Sequence, residues 1–166
     1  GFIVGASLVC TLLSVFLGRI YTKTASQRSV ELYIHTGGSS KKIKALVDTG
    51  SLLSDPISGL PVVITSLQEL ADFLEPELIC CLSDGTLTSL ENLSSACPAA
   101  LRGKLRLIPV RTVSGSDVLP AFVPDFVTVG RDDGVQRRAV IAVDNSTRGY
   151  GGCQALIPPA LAGSVG

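Results

Sequence analysis

The sequence of 166 residues has no methionine, no tryptophan and a single histidine, and only 17% of its residues are charged. Basic and acidic residues are equal in number, so the formal net charge is zero. Nucleic-acid-binding domains carry a clustered positive charge, and this composition predicts no nucleic-acid partner. A histidine-based catalytic triad would have to use His35, whose position at a strand end beside glycines predicts an ordinary structural residue.

The cysteines are few and their spacing is uninformative for metal binding. There are five, an odd number, with an adjacent pair at Cys80 and Cys81 and no C-x-x-C spacing. Disulfide frameworks use even numbers of cysteines, and structural zinc sites use closely spaced pairs. The sequence therefore predicts reduced thiols with structural roles, no metal and no cofactor.

An uncharged apolar run occupies residues 2–17. A full membrane span needs about 20 apolar residues, and the absence of methionine suggests a C-terminal fragment, so we expect residues 1–21 to be the end of a transmembrane helix. A signal peptide and a buried helix are the alternatives.

Three basic residues, Arg19, Lys23 and Arg28, follow this run before the first acidic residue, Glu31. Positive charge beside a membrane span tends to lie on the cytoplasmic side, so this order predicts a cytoplasmic domain at the cell membrane. Residues 22–28 are polar and read as a linker, and residues 29–166 as the folded domain.

Short alternating or apolar runs separated by turns predict a mainly β domain. The expected strands lie at residues 29–35, 41–47, 61–64, 104–112, 118–129, 139–143 and 153–157. The capping-box spacing Ser66-x-x-Glu69 predicts a helix over residues 67–74, whereas residues 76–103 show no sustained period and predict an irregular insertion. Many short strands with one or two short helices favour a closed or nearly closed β-barrel.

The most informative motif is an apolar strand that ends in Asp48, Thr49, Gly50 and Ser51. A strand holds a carboxylate on a rigid element, a glycine lets a backbone N–H approach it, and hydroxyl groups orient it. Such a loop suits two aspartates that share one proton about 3 Å apart, as in aspartic peptidases. Asp48 is the predicted catalytic residue, with Thr49, Gly50 and Ser51 supporting the loop; the plainer alternative is an aspartate that merely begins a turn.

A catalytic pair needs a second carboxylate. Asp84 and Asp133 each precede a glycine without a buried strand before them, which predicts turns. Asp144 follows an apolar strand but lacks the hydroxyl and glycine pattern, and a structural role at a strand end is the favoured interpretation. The predicted solution is a homodimer in which Asp48 meets its own copy across a twofold axis.

Three segments carry a resemblance to a known family: residues 44–51, which hold the Asp-Thr-Gly loop, residues 53–64, with Asp-Pro-x-x-Gly and a later proline, and residues 104–111, with Arg-Leu-Ile-Pro-x-Arg. In these segments the chain resembles the sporulation sigma-E factor processing peptidases, membrane-embedded aspartic peptidases of endospore-forming bacteria. The three segments cover about a sixth of the chain.

The resemblance implies a multi-pass membrane domain upstream and a retropepsin-like closed β-barrel that dimerises. It implies cleavage of the pro-sequence of a sigma factor, with membrane lipid, that protein substrate and a secreted forespore signalling protein as partners. Asp48 carries over as the catalytic residue.

There are two departures from the family pattern. The family often has serine where Thr49 stands, and related folds usually have glycine where Ala142 stands, so a Cβ there could crowd the Asp48 loop.

Two other functions are weighed against the peptidase. In a non-catalytic retropepsin-like interaction module the barrel would persist and Asp48 would be vestigial. A sugar-kinase or actin-like phosphotransferase would also use a strand followed by Asp-x-Gly-Ser, but that fold needs several long helices. For the substrate cleft, residues 55–61 and the basic row Lys104, Arg106 and Arg111 are the candidates, although such a row is ordinarily a solvated strand face.

Overall fold

The structure is a computed structural model that describes residues 28–83, 92, 97–112, 115–146 and 149–163. Within them the strands are β1 (Ser29–Thr36), β2 (Ser39–Val47), β3 (Val62–Thr65), β4 (Leu105–Thr112), β5 (Gly115–Phe122), β6 (Phe126–Val129), β7 (Val140–Val143) and β8 (Ala155–Ile157). The helices are α1 (Pro76–Ser83), α2 (Ala99–Arg102) and α3 (Pro159–Ala162), with a 3₁₀ helix at Leu67–Glu69. The mainly β prediction is confirmed.

All these strands belong to one mixed sheet, ordered β4-β5-β7-β3-β8-β2-β1-β6. The predicted closed barrel is not found, because the described residues show no pairing between the two edge strands, β4 and β6. The outer edge of β6 is instead occupied at Val127, which exchanges two backbone hydrogen bonds of 2.9 Å with Arg137. The sheet is therefore open.

The short strand β8 lies in the middle of the sheet. It pairs in parallel with β2, where Ala45 is opposite Ala155, and antiparallel with β3, where Ile64 is opposite Leu156. On the other side of β3, β7 runs parallel to it from Val62 to Thr65. Because β8 is parallel to β2 and antiparallel to β3, β2 runs in the opposite direction to β3 and β7, and the residues that follow β2 and β7 leave the sheet at opposite ends of these strands.

The hairpin of β1 and β2 is confirmed, and glycine explains its turn. Gly37 and Gly38 have φ angles of 58° and 81°, the left-handed conformations that a two-residue hairpin loop requires and that glycine adopts without strain. Full pairing from Ser29 opposite Leu46 to Thr36 opposite Ser39 leads the chain to Asp48.

Two groups of buried apolar side chains hold the sheet together. The larger lies under α1 and the 3₁₀ helix and includes Leu32, Ile34, Ile43, Val63, Leu70, Leu82, Phe122, Ile141 and Ile157. The smaller consists of Val62, Ile108, Ala121, Val140 and Ala142. Every residue of β7 is buried, as its continuous apolar run predicts for a strand covered on both faces.

The helix predicted over residues 67–74 is wrong. Only a 3₁₀ helix forms at Leu67–Glu69, and Ser66 makes no side-chain capping hydrogen bond. The regular helix is α1, which begins at Pro76 in the segment predicted to be irregular and buries Leu78, Cys81 and Leu82. Proline is well suited to the first turn of a helix, where its missing N–H would have no partner.

Residues 1–27, on which the predictions of a transmembrane helix and a linker rest, lie outside the described residues. In the part of the chain that the structure describes, no helix is both long and apolar enough to cross a membrane.

Candidate active site

Asp48 is the first residue after β2, and its backbone is anchored to the neighbouring strand. Its N–H donates to the carbonyl oxygen of Ile157 over 2.9 Å, at the end of the parallel β2–β8 pairing. Its side chain is partly exposed. The last residue of a central strand thus determines where the Asp48 loop leaves the sheet.

The loop folds back on its own carboxylate. The Gly50 N–H donates to Asp48 Oδ1 over 3.0 Å, and the Ser51 N–H donates to the Asp48 carbonyl oxygen over 3.1 Å. A Cβ at position 50 would lie 3.4 Å from Asp48 Oδ1. The structure therefore places Gly50 against the carboxylate, as the motif predicts, and leaves Thr49 exposed beside it.

Asp48 lines a cavity of about 440 Å³. The lining residues are Asp48, Ser51, Leu52, Leu53, Ile64, Val110, Arg111, Asp117, Leu119, Asp144 and Ser146. The Asp48 loop forms one wall, the β4–β5 hairpin forms another, and Ile64 of β3 and the residues after β7 complete the lining. Both apolar and charged side chains line it, as is usual for a pocket in which a few polar groups orient a ligand.

Two further carboxylates share this cavity. Asp144 follows β7 and donates its N–H to the Thr65 carbonyl oxygen over 2.9 Å, while its Oδ1 accepts from the Ser146 N–H at 2.8 Å. Asp117 on β5 accepts the Val118 N–H at 2.8 Å. Sequence reasoning considered Asp144 but missed Asp117, whose place in a hairpin wall depends on the β4–β5 register.

Asp55 fixes the segment that follows the Asp48 loop. It is 1% exposed, and its carboxylate accepts hydrogen bonds from the Ser58 hydroxyl and from the N–H groups of Ile57 and Ser58 at 3.2 Å. Arg106 Nε of β4 lies 3.4 Å away. Burial by itself raises the pKa of Asp55, but the hydrogen bonds and the nearby guanidinium outweigh it and hold that pKa below its ordinary value.

This ion pair joins two of the sequence segments that carry the resemblance, the turn after Asp55 and the strand of Arg106. The described lining of the cavity does not include residues 55–61, which were candidates for the cleft. Arg111 does line it, whereas Lys104 faces a separate cavity of about 110 Å³. The three basic residues therefore do not form one surface.

The other candidates from the sequence lie elsewhere. His35 stacks on Phe126, with ring centroids 4.2 Å apart, and its Nε2 is 3.4 Å from Asp132. Asp133 is in an exposed turn with Arg131, and Asp84 lies outside the described residues. Cys81 is buried and Cys80 is exposed, and neither is in a disulfide.

Ala142, whose Cβ was expected to crowd the Asp48 loop, lies within β7 and belongs to the smaller group of buried apolar side chains. It is fully buried opposite Ile64 of β3 and Ala121 of β5, and the strand that bonds Asp48 is β8. Among the described residues no group of three or more His, Cys, Asp or Glu side chains is arranged to hold a metal ion.

A family model for peptidase family U4, described as sporulation factor SpoIIGA, matches residues 1–161. The chain belongs to this family. A search of curated proteins finds no match. As a member of family U4 the chain is a sporulation protease that acts on a protein substrate, and the resemblance drawn from its three segments is confirmed.

Proposed function

We propose that the chain is a membrane-anchored aspartic endopeptidase in which Asp48 supplies one carboxylate of a catalytic pair. The observation that carries the proposal is the Asp48 loop itself, with Gly50 donating to Asp48 Oδ1 at 3.0 Å beside a cavity of about 440 Å³. A carboxylate that accepts a backbone N–H and lines a cavity is suited to acid–base catalysis.

The chemistry needs two carboxylates that share one proton. The ionised one takes a proton from a water molecule as the water oxygen attacks the scissile carbonyl carbon. The protonated one donates to the carbonyl oxygen. Collapse of the tetrahedral intermediate returns that proton and breaks the C–N bond, while a carboxyl proton passes to the leaving nitrogen.

A second copy of the chain supplies the partner carboxylate in this proposal, so that two Asp48 loops meet at a twofold axis. Leu52, which directly follows the loop, is 91% exposed and is available to contact the second copy in this proposal. Asp144, on the same cavity, is the competing partner within one chain.

The substrate in this proposal is the pro-sequence of a sigma factor, pro-sigma-E, removed during endospore formation. Membership of a sporulation peptidase family supports this choice. The proposal includes a peptidase domain on the cytoplasmic face of the cell membrane, preceded by a multi-pass domain, and activation by a secreted forespore signalling protein.

The decisive experiment expresses the full-length protein with pro-sigma-E and the forespore signal, and follows the size of the substrate. Asp48→Asn keeps the shape of the side chain and is expected to abolish processing, whereas Asp133→Asn, in an exposed turn, is expected to leave it unchanged. Processing that persists in Asp48→Asn, at equal protein levels, would show that the domain is a binding module.

Mixing the Asp48→Asn protein with the wild-type protein distinguishes the two possible partners of Asp48, a second copy of Asp48 and Asp144 of the same chain. In an intermolecular pair, an excess of the Asp48→Asn protein is expected to inhibit the wild-type protein by forming mixed dimers with one carboxylate. In a pair with Asp144, the Asp48→Asn protein has no such effect and Asp144→Asn abolishes processing.

A further inference from the structure

The position of Asp48 depends on a strand of only three residues. Because β8 is inserted between β2 and β3, its carbonyl oxygen at Ile157 reaches the Asp48 N–H over 2.9 Å. The turn before β8 contains Gly151 and Gly152, both at positive φ. A strand this short has few ladder hydrogen bonds to fix its position along its neighbours, so another contact has to do so.

Gln154, the residue before β8, makes that contact with all of its polar groups. Its N–H donates to the Lys44 carbonyl oxygen over 2.8 Å, and its Oε1 accepts the Lys44 N–H over 2.9 Å. Both bonds go to β2, at the residue before Ala45, where the β2–β8 pairing begins. The side-chain amide of Gln154 therefore adds one hydrogen bond to the three residue pairs of β2 and β8.

The same residue also ties β8 to the segment around β3. The buried Thr65 hydroxyl donates to the Gln154 carbonyl oxygen over 2.8 Å. Gln154 Nε2 donates to Glu69 Oε2, in the 3₁₀ helix that follows β3, over 2.5 Å. Both Gln154 and Glu69 are partly buried, where a hydrogen bond to a charged acceptor is stronger than one between neutral groups.

We propose that Gln154 is a positioning residue for the proposed catalytic carboxylate: by fixing β8 against β2 and β3, it sets where the Ile157 carbonyl holds the Asp48 loop. This inference rests on the proposed function. Gln154 touches neither Asp48 nor the substrate cavity, so its effect on the reaction passes through the strand. Misplacement of a reacting group by about 1 Å can lower a rate about 100-fold.

The chemistry of the Gln154–Glu69 contact provides a specific test. In Gln154→Glu, a carboxylate replaces the amide donor and faces Glu69, and the two like charges repel. In Glu69→Gln, the acceptor oxygen is kept. In the double variant, the carboxylate introduced at position 154 still accepts from the Lys44 N–H. The amide introduced at position 69 donates to that carboxylate, so the hydrogen bond is restored with its direction reversed.

The measurement is the initial rate at which the purified full-length protein, with the forespore signal present, processes purified pro-sigma-E. The rate is followed as a function of substrate concentration and pH, and the melting temperature of each preparation is determined. We expect Gln154→Glu to lower kcat about 10- to 100-fold at neutral pH with little change in KM. We expect Glu69→Gln to retain the wild-type rate and the double variant to recover most of it. Gln136→Glu, the same substitution at an exposed position, is the matched control.

The pH profile separates positioning from simple destabilisation. As the pH falls, the two facing carboxylates of Gln154→Glu take up a proton and can again share a hydrogen bond, so its kcat relative to wild type is expected to rise. Should Gln154→Glu fail to accumulate, Glu69→Ala removes the same hydrogen bond and is expected to lower kcat by a smaller factor. A relative kcat that does not change with pH, or a double variant as slow as Gln154→Glu, would overturn the proposal.

Asp48→Asn, measured in the same assay, keeps the two proposals distinguishable. If it processes the substrate at the wild-type rate, the proposed function itself fails. If it is inactive and the Gln154 variants all have the wild-type kcat, only the positioning role fails.

Discussion

Asp55 shows how a single buried carboxylate can stabilise a loop next to a site. It is 1% exposed and accepts hydrogen bonds from Ser58 and Ile57, with Arg106 close by. Asp55→Asn removes the charge and leaves these donors with a weaker acceptor, so we expect the free energy of unfolding to fall by about 1–3 kcal/mol. Chemical denaturation measures this change. Asp72→Asn, at an exposed ion pair with Lys41, is the control and should leave stability nearly unchanged.

The lowered pKa of Asp55 also predicts how that difference varies with pH. The unfolded carboxyl has the higher pKa, about 4, so the contribution of Asp55 is complete above this value and is lost as the pH falls through the lower pKa of the folded state. The stabilities of the wild-type protein and Asp55→Asn should therefore converge in acid. A difference that stays constant as the pH is lowered well below the unfolded pKa would mean that Asp55 acts through packing alone.

At the scale of single residues, the sequence is informative where chemistry is local. The approach of the Gly50 N–H to Asp48 depends on two residues of one loop, and the motif predicts it. The bond between Asp48 and Ile157 spans more than a hundred residues, and so does the hydrogen bond from Lys44 to Gln154. No local pattern predicts such contacts, because they follow from the order of strands in the sheet.

Helix α1 illustrates how a short element is stabilised by its buried face. Leu78 and Leu82 are 5% and 1% exposed, while Cys80 on the same helix is exposed. Leu82→Ala leaves a cavity under the sheet and is expected to lower the free energy of unfolding by about 2–5 kcal/mol. Thermal or chemical denaturation provides the measurement, with Cys80→Ala as the control that should change little. Equal effects of the two substitutions would mean that α1 does not contribute to the core as described.

The error over this helix has a physical explanation. Ser66 and Glu69 have the spacing of a capping box, but the Ser66 side chain makes no capping hydrogen bond. Leu70 and Leu74 are buried, and the backbone around them forms turns instead of a regular helix. The sequence pattern predicts that a helix ends before Pro76, whereas Pro76 is the first residue of α1. Tertiary packing of Leu70 and Leu74 decides the outcome, which short-range signals do not reveal.

For the molecule as a whole, the proposed pairing of two chains makes Leu52 a test of assembly. Leu52 is 91% exposed next to the Asp48 loop. Val135, two residues before Arg137, is 72% exposed and is a comparable apolar side chain outside the cavity lining. Leu52→Glu would bring two carboxylates together at a twofold contact, so we expect weaker self-association and a processing rate per molecule that rises with protein concentration. Val135→Glu should behave as wild type.

Analytical ultracentrifugation of the full-length protein in detergent, combined with the processing assay, checks this expectation. A Leu52→Glu protein that remains dimeric and fully active would place the contact between copies elsewhere on the surface.

The strands can be predicted because apolar alternation is a local property of the sequence. Closure of the sheet cannot, because it depends on which strands become neighbours. An alternating pattern such as that of β1 shows which residues face the core, but not which strand lies beside them. At the edge strand β6, Val127 bonds to Arg137, a residue outside any strand, and this contact takes the edge that a closed barrel would have used.

The order of the strands along the chain also fixes the order in which the sheet can be completed during synthesis. Translation proceeds from the N terminus, so β2 and β3 leave the ribosome about a hundred residues before β8, the strand that separates them. Until residues 155–157 emerge, the gap between β2 and β3 is unfilled and the Asp48 N–H lacks its bond to Ile157. The carboxylate proposed to cut other chains is therefore held in its folded position only after nearly all of its own domain has been made.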